Sequence, residues 1–366
     1  MEDDKGITIN MGPVHPATHG VLKVVLDIKG DTIKKARTEI GFLHRGKEKL
    51  AEVRYFSNYY PIVDKLDYVS ALNMEILYAC LVEKAAGIDV PPRATYIRTI
   101  MGEIQRIMSH LLFIGAFGED VGNITGFIWA FRERELLMNV VEMVSGGRLA
   151  PMYLTNGGVF YDLPDGFAGA LLPALDKIED KLKKDYRAMF QENDLFRVRT
   201  KGIGVITKDM VIKYGLTGPN MRASGFDRDL RRDDPYLVYD KMDFEVVTEE
   251  GGDALARFMV RTREITESIK IIRQALKSIP GGPVRTKVPW LVKIPPKYTF
   301  VRHEAPRGEM AMYMITDGSD KPYRLKIRSP TFFAVRALEE MMEGQRIADA
   351  VVDIASIDPV MGEVDR

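Results

Sequence analysis

From residue 47 to about residue 146 the apolar side chains recur at the helical period of about three to four positions, and this stretch decides what the chain can become. Breaks fall at Pro61, at Pro91-Pro92 and at intervening glycines, so the periodicity predicts separate helices over residues 47–58, 66–86, 93–117 and 127–145. Two more long helices are expected over 167–191 and 253–278, the second ending before Pro280-Gly281-Gly282-Pro283. Helices of such length bury their apolar stripes against one another, which puts a helical bundle at the centre.

The flanks read differently. Residues 7–11 form a short extended run, and residues 21–28 lead through Lys29-Gly30-Asp31 into 32–40 as a hairpin. Near the other end, residues 309–315 alternate up to Asp317-Gly318, and 323–328 read as the partner strand. A helix around 332–344 and an apolar run over 348–357 follow. The expected class is therefore α+β: a central helical bundle with small flanking β-sheets. The expected parts are a β region over 1–45, the bundle over 46–283, and an α+β region over 284–366 that packs on it.

Composition narrows the function classes. The chain has 366 residues, 46% of them hydrophobic, enough for one large body of interlocked parts. Its 52 basic residues balance 52 acidic ones, and nothing in that balance points to nucleic acid. The single cysteine, Cys80, can form no internal disulfide and is expected as a small buried apolar residue, compatible with a reducing cytoplasm. No stretch reaches the roughly 18 uninterrupted apolar residues of a spanning helix, and Met1 to Gly6 is charged rather than signal-like. A soluble chain is expected, reaching a membrane only through partners.

Candidate chemistry gathers in the loop Gly12-Pro13-Val14-His15-Pro16-Ala17-Thr18-His19-Gly20, which holds two of the five histidines. Its prolines and glycines oppose regular structure and favour a fixed, tight turn. Pro16 forbids the helical spacing that pairs two imidazoles on one metal, so for His15 and His19 a metal site is the weakest of three alternatives, behind loop stabilisation and proton chemistry. His44-Arg45 sits at a strand-to-helix junction, and Tyr68 is expected to open an apolar helix with its hydroxyl at a rim. The charged runs Arg132 to Glu135 and Arg261 to Glu264 are expected on a solvated or interface face.

A resemblance then enters through motifs in order and spacing. They include His15-Pro16-Ala17-Thr18-His19-Gly20, His44-Arg45-Gly46, Leu66-Asp67-Tyr68, Pro91-Pro92-Arg93-Ala94 and Phe131-Arg132-Glu133-Arg134-Glu135. Later come Arg222-Ala223-Ser224-Gly225, Ala305-Pro306-Arg307-Gly308-Glu309 and Gly362-Glu363-Val364-Asp365-Arg366. Over essentially its whole length the chain resembles the 49-kDa or D subunit of the complex I family, in a compact form similar to archaeal relatives such as the F420H2 dehydrogenase D subunit. That family shares its fold with the large subunit of nickel–iron hydrogenases. The hydrogenase cysteine pairs would fall near Asp67 and Ser70 and near Val360 and Glu363, so the resemblance implies no metal bound by this chain.

The resemblance further implies a peripheral subunit of an ion-translocating respiratory oxidoreductase, on the cytoplasmic side of the cell membrane. Its substrate would be a quinone or methanophenazine, with NADH, F420H2 or a ferredoxin as the ultimate donor. Tyr68 and His19 match the family's donors to the headgroup, and Asp120 matches the carboxylate paired with that histidine. Arg45 and His110 match residues near a terminal 4Fe-4S cluster held by an adjacent B-type small subunit. The other implied partners are a C-type 30-kDa subunit, a ferredoxin-like I-type subunit and a membrane H-type subunit. The competing reading is a non-catalytic scaffold subunit of a related membrane-bound, hydrogenase-like complex.

Overall fold

A computed structural model describes residues 6–366; the charged segment Met1 to Lys5 lies outside the described residues. The chain opens with an antiparallel sheet of β1 (Ile7–Met11), β2 (Lys23–Lys29) and β3 (Thr32–Glu39), in that spatial order. Gly30, at φ +65°, turns the chain between β2 and β3, as the Lys29-Gly30-Asp31 signal predicts.

The bundle is built from α1 (Ala71–Ala86), α2 (Pro92–Asp120) and α3 (Ile124–Ser145). Glycines in the left-handed region close α1 and α3, at Gly87 and Gly146. A two-stranded ribbon follows, β4 (Leu154–Thr155) and β5 (Gly158–Val159). Then comes α4 (Phe167–Lys181), which continues in a wider π-type winding over Leu182–Gln191. The last bundle helix is α5 (Ala254–Ser278), capped by Asp253, whose carboxylate accepts from the Ala256 amide at 2.8 Å.

Two expected helices are shorter than the periodicity suggests. The one expected over 47–58 is α-helical over Lys47–Ala51 and resumes as a 3-10 turn at Phe56–Tyr59, the break falling where the Phe56 amide donates to the Asp320 carbonyl at 3.3 Å. The one expected from residue 66 begins at Ala71. Asp67 folds the preceding backbone into a turn, its Oδ1 accepting from the Val69 amide at 3.2 Å and its carbonyl from the Ser70 amide at 3.0 Å. Tyr68 therefore sits on a turn ahead of α1 rather than opening it.

The C-terminal sheet has three antiparallel strands, β6 (Lys297–Ala305), β7 (Gly308–Thr316) and β8 (Arg324–Arg328), followed by α6 (Pro330–Met342), α7 (Ala350–Ser356) and α8 (Met361–Asp365). Strand β6 has no counterpart among the expected elements. Its inner end carries His303 and Glu304, both buried, so a hydropathy reading sees no strand there.

Two apolar cores result. The larger lies between the bundle helices, where Phe117, Phe190, Phe196 and Phe258 pack ring against ring. The smaller joins the first strands to the last helices: Leu22, Val24, Leu26 and Ile33 pack with Leu338, Ile354, Met361 and Val364. The Asp365 carboxylate reinforces this union by accepting from the amides of Gly41 and Leu43 at 2.8 and 2.6 Å.

The charged runs expected on a solvated or interface face turn several members into the interior instead. Glu133, Arg134, Arg261 and Glu264 are buried, because each helix that carries them is enclosed on more than one side, while Arg132, Glu135 and Arg263 are exposed. Cys80 is only half-buried, at the edge of the larger core. No helix among the described residues is long and apolar enough to cross a membrane.

Candidate functional site

The histidine loop is held by its own backbone. A Cβ at Gly12, whose φ is +82°, would lie 2.1 Å from the Leu22 carbonyl oxygen, so only glycine allows that approach. The Thr18 hydroxyl donates to the His15 carbonyl at 2.7 Å, and His15 Nδ1 accepts from the Ala17 amide at 3.2 Å, capping the single helical turn Pro16–Thr18. His15 thus serves the loop. His19 ends that turn in the left-handed region, at φ 49°, and its ring leaves the loop. His19 Nε2 lies 2.6 Å from Oδ2 of Asp120, the last residue of α2.

The Tyr68 turn meets the same loop. A Cβ at Gly20 would stand 3.8 Å from the Tyr68 hydroxyl oxygen, so the phenol reaches the backbone immediately after His19. Tyr68 keeps 40% of its surface exposed, and the side chains of His19 and Asp120 keep 17% and 14%. These residues form a shallow patch on the isolated chain rather than an enclosed chamber. Burial raises the Tyr68 phenol above its usual value, outweighing the opposite pull of Arg307, and Asp67 adds to the rise. Tyr68 is therefore a neutral donor at physiological pH.

Behind the tyrosine lies a buried layer of charge. Arg307, on the turn between β6 and β7, donates to Asp67 Oδ2 at 2.9 Å, to the Ser109 hydroxyl at 2.8 Å and to Asp358 Oδ1 at 3.3 Å. Asp358 is approached from its other side by Arg261 at 3.8 Å. Glu363 Oε1 accepts from the Ser329 hydroxyl and the Thr331 amide at 3.1 and 3.0 Å. Burial and then Asp67 push the Glu363 carboxyl up to about 7. Asp67 and Glu363 are thus each hydrogen-bonded in the interior, to Arg307 and to Ser329 with Thr331 respectively, and the Ser70 hydroxyl accepts from the Asn73 side-chain amide at 2.8 Å.

Lys47 ties the two sides together. Its buried ammonium donates to the carbonyls of Lys65 and Gly362, both at 2.7 Å, joining the Tyr68 turn to α8. Burial and then Arg45 lower it to about 8. At Gly362 a Cβ would fall 2.7 Å from the Leu66 carbonyl oxygen and 3.0 Å from the Tyr68 ring, so α8 presses directly on the tyrosine's turn.

The remaining two expected residues stand apart from this patch. His110 is wholly buried on α2, with Nε2 2.9 Å from Glu264 Oε2 on α5. Burial lowers its pKa, with Glu264 opposing. Glu264 in turn binds Arg222 at 2.8 Å, and Arg222 reaches Glu304 at 2.8 Å. Arg45 is exposed at the end of the 41–46 loop. The fold brings His19, Asp120 and Tyr68 together, and leaves His110 and Arg45 outside that group.

Sequence reasoning assigns no role to Arg307, Asp67, Asp358 or Lys47. Arg307 has a visible signal in Ala305-Pro306-Arg307-Gly308, a tight turn that carries one cation; Lys47 has none, being one of many lysines on a charged segment.

The family described as respiratory-chain NADH dehydrogenase, 49 Kd subunit, matches residues 120–293 and 286–366. The D subunit of NADH-quinone oxidoreductase from Clostridium beijerinckii is 46% identical over 360 residues, covering 98% of this chain and 97% of the relative. Its counterpart from Geobacillus kaustophilus is 43% identical, with 98% and 97% covered. Among solved structures, a chain of the membrane-bound sulfane sulfur reductase, an archaeal respiratory membrane complex, superimposes with a TM-score of 0.95 at 35% identity, covering all of both chains.

Proposed function

Because this chain belongs to the family of the 49-kDa subunit of respiratory-chain NADH dehydrogenase, and so is a subunit of a respiratory oxidoreductase complex, we propose that it supplies the proton-donating wall of that complex's electron-acceptor site. The acceptor is a quinone or methanophenazine headgroup. The observation that carries this reading is the convergence of the Tyr68 phenol and the His19 loop, with His19 braced by Asp120.

Reducing a quinone to its quinol takes two electrons and two protons, delivered to two oxygens on opposite sides of a ring. In this reading, a 4Fe-4S cluster of a neighbouring B-type subunit supplies the electrons. Tyr68 hydrogen-bonds one oxygen as a neutral phenol, passes its proton to that oxygen as the two electrons arrive and regains one from solvent, while His19 hydrogen-bonds and protonates the other. An imidazole gives and regains a proton near neutrality with little driving force, which suits it to the proton step. When His19 gives up its proton, Asp120 loses a positive partner at 2.6 Å, and that local change of charge is the signal available to the ion-translocating part of the complex. The patch is shallow, so a neighbouring subunit must close it and exclude water. The remaining partners in this reading are C-, I- and H-type subunits, the last attaching the assembly peripherally to the cytoplasmic face of the membrane.

A second reading draws on the full-length match to the sulfane sulfur reductase chain. In that reading, two electrons from the neighbouring cluster cleave a sulfane S–S bond, and the same donors protonate the sulfur anions it leaves rather than ring oxygens. One experiment separates the two. The complex is purified with its partners, and reduction of a soluble quinone analogue, a methanophenazine analogue and polysulfide is measured for wild type and Tyr68→Phe. Iron–sulfur signals are followed in parallel. Quinone or phenazine turnover that falls about a hundredfold in Tyr68→Phe, with the signals intact, supports the first reading. Turnover confined to polysulfide supports the second. Unchanged turnover on every acceptor removes Tyr68 from the chemistry.

A further inference from the structure

The largest cavity described has a volume of about 580 Å³ and contains none of the residues of the Tyr68 patch. It runs between the segment preceding α1 and the connection that leads into β6. The connection is pinned, not loose: the Thr286 amide donates to the Gly157 carbonyl at 2.9 Å, and the Thr286 hydroxyl donates to the Asp89 carbonyl at 2.6 Å. On the floor, the Tyr60 hydroxyl donates to Asn156 Oδ1 at 2.7 Å, which fixes both side chains. The groove is therefore formed before anything enters it.

Its chemistry is one-sided. Arg54, Arg285 and Lys287 are its only charged lining residues, all exposed and none in an ion pair among the described residues. Elsewhere on this electrically neutral chain, exposed arginines such as Arg187, Arg232 and Arg263 are matched by carboxylates. Beside the three cations stand two exposed aromatics, Trp290 at 71% and Phe160 at 40%. Unpaired like charges gathered round a groove raise its affinity for the opposite charge, and Trp and Arg are both enriched among the residues that anchor protein contacts.

We propose that this groove receives an acidic segment of a neighbouring subunit of the complex, seating an aspartate or glutamate among the three cations and an apolar side chain on Trp290. Charge selects the acid. The two aromatics select a companion apolar side chain, which a free inorganic anion lacks, and the amide and hydroxyl groups of the floor suit a peptide backbone. The cavity's volume falls in the range of about 300–1,000 Å³ that fixes an inserted group. The inference rests on the chain's place in a multisubunit complex and not on the acceptor chemistry, so Tyr68 and the groove can fail separately.

The test places a photoreactive benzoylphenylalanine at Trp290 in the assembled complex, irradiates it, and identifies the crosslinked peptide by mass spectrometry. The expected product is an Asp- or Glu-bearing peptide of another subunit, whose yield falls to background in the Arg285→Glu, Lys287→Glu double variant. These positions are exposed, and circular dichroism of the variant checks that the chain remains folded. A crosslink to lipid, to a peptide without acidic residues or to nothing overturns the proposal. So does a yield that survives the charge reversal.

Discussion

His19 Nε2 and Asp120 Oδ2 stand 2.6 Å apart, although 101 positions separate the two residues along the chain. One is presented by a rigid loop, the other by the end of a 29-residue helix, so neither can retreat when the charge between them changes. Asp120→Asn keeps the shape and removes the negative charge. A charge-assisted hydrogen bond contributes about 1.5–3 kcal/mol, so turnover on the complex's acceptor should fall about tenfold to a hundredfold while the melting temperature changes little. Turnover at the wild-type level would separate Asp120 from the proton step.

Gly362 is the point where α8 rests on the Tyr68 turn. The methyl group of Gly362→Ala would overlap two backbone oxygens, those of Leu66 and Lys65, at 2.7 and 2.9 Å, and neither can swing aside as a side chain could. A loss of about 1–3 kcal/mol in unfolding free energy is expected. Because the displaced turn carries Tyr68, acceptor reduction should drop in chains that remain folded, as judged by near-ultraviolet circular dichroism. Full activity with lowered stability would sever the turn's position from the chemistry.

Glu363 gives the protein a pH signature. Burial, and then Asp67, raise its carboxyl from 4.5 to about 7 in the native state. Between those two values the native chain binds more proton than the unfolded one, so stability is greatest on the acid side and declines as pH rises through about 7. Glu363→Gln abolishes this contribution. Urea midpoints measured at pH values on either side of the window should show wild type losing stability, relative to the variant, as the pH increases; parallel curves would refute the assignment.

Glu264 sits between His110 at 2.9 Å and Arg222 at 2.8 Å, and all three side chains are buried. Burial alone would raise its carboxyl, but Arg222 and the His110 contact reverse that and hold it ionised. Removing one member of such a buried set strands the others. Glu264→Gln should destabilise the chain by about 3 kcal/mol, read from denaturant unfolding. A change below about 0.5 kcal/mol, typical of surface sites, would mean that the pocket admits solvent.

What the sequence discloses depends on the kind of interaction involved. The end of α3 and the start of α5 can be read because glycine in the left-handed region and an Asp cap act locally, through residues next to the helix. The start of α1 misleads because the Asp67 turn is stabilised by Arg307, whose position 240 residues away leaves no local mark. Strand β6 is hidden for a related reason: Glu304 reads as solvated, yet Arg222 neutralises it in the interior. For the candidate site, family resemblance names His19, Tyr68 and Asp120, and only the geometry brings them together. His110 and Arg45 do not join them: His110 is buried against Glu264, and Arg45 stands exposed at the end of its loop.

The bonds from Asp365 to the amides of Gly41 and Leu43 constrain the order of folding. A ribosome delivers residue 41 long before residue 365, so the first sheet waits with an open apolar face while the bundle between them is made. The Tyr68 turn waits too, because Lys47 cannot clamp it until Gly362 arrives. During that interval the exposed sheet is the part of the nascent chain most in need of a chaperone. A polypeptide cut short before α8 would lack the Lys47–Gly362 bond and the Asp365 contacts, so the patch is completed only when that last helix docks.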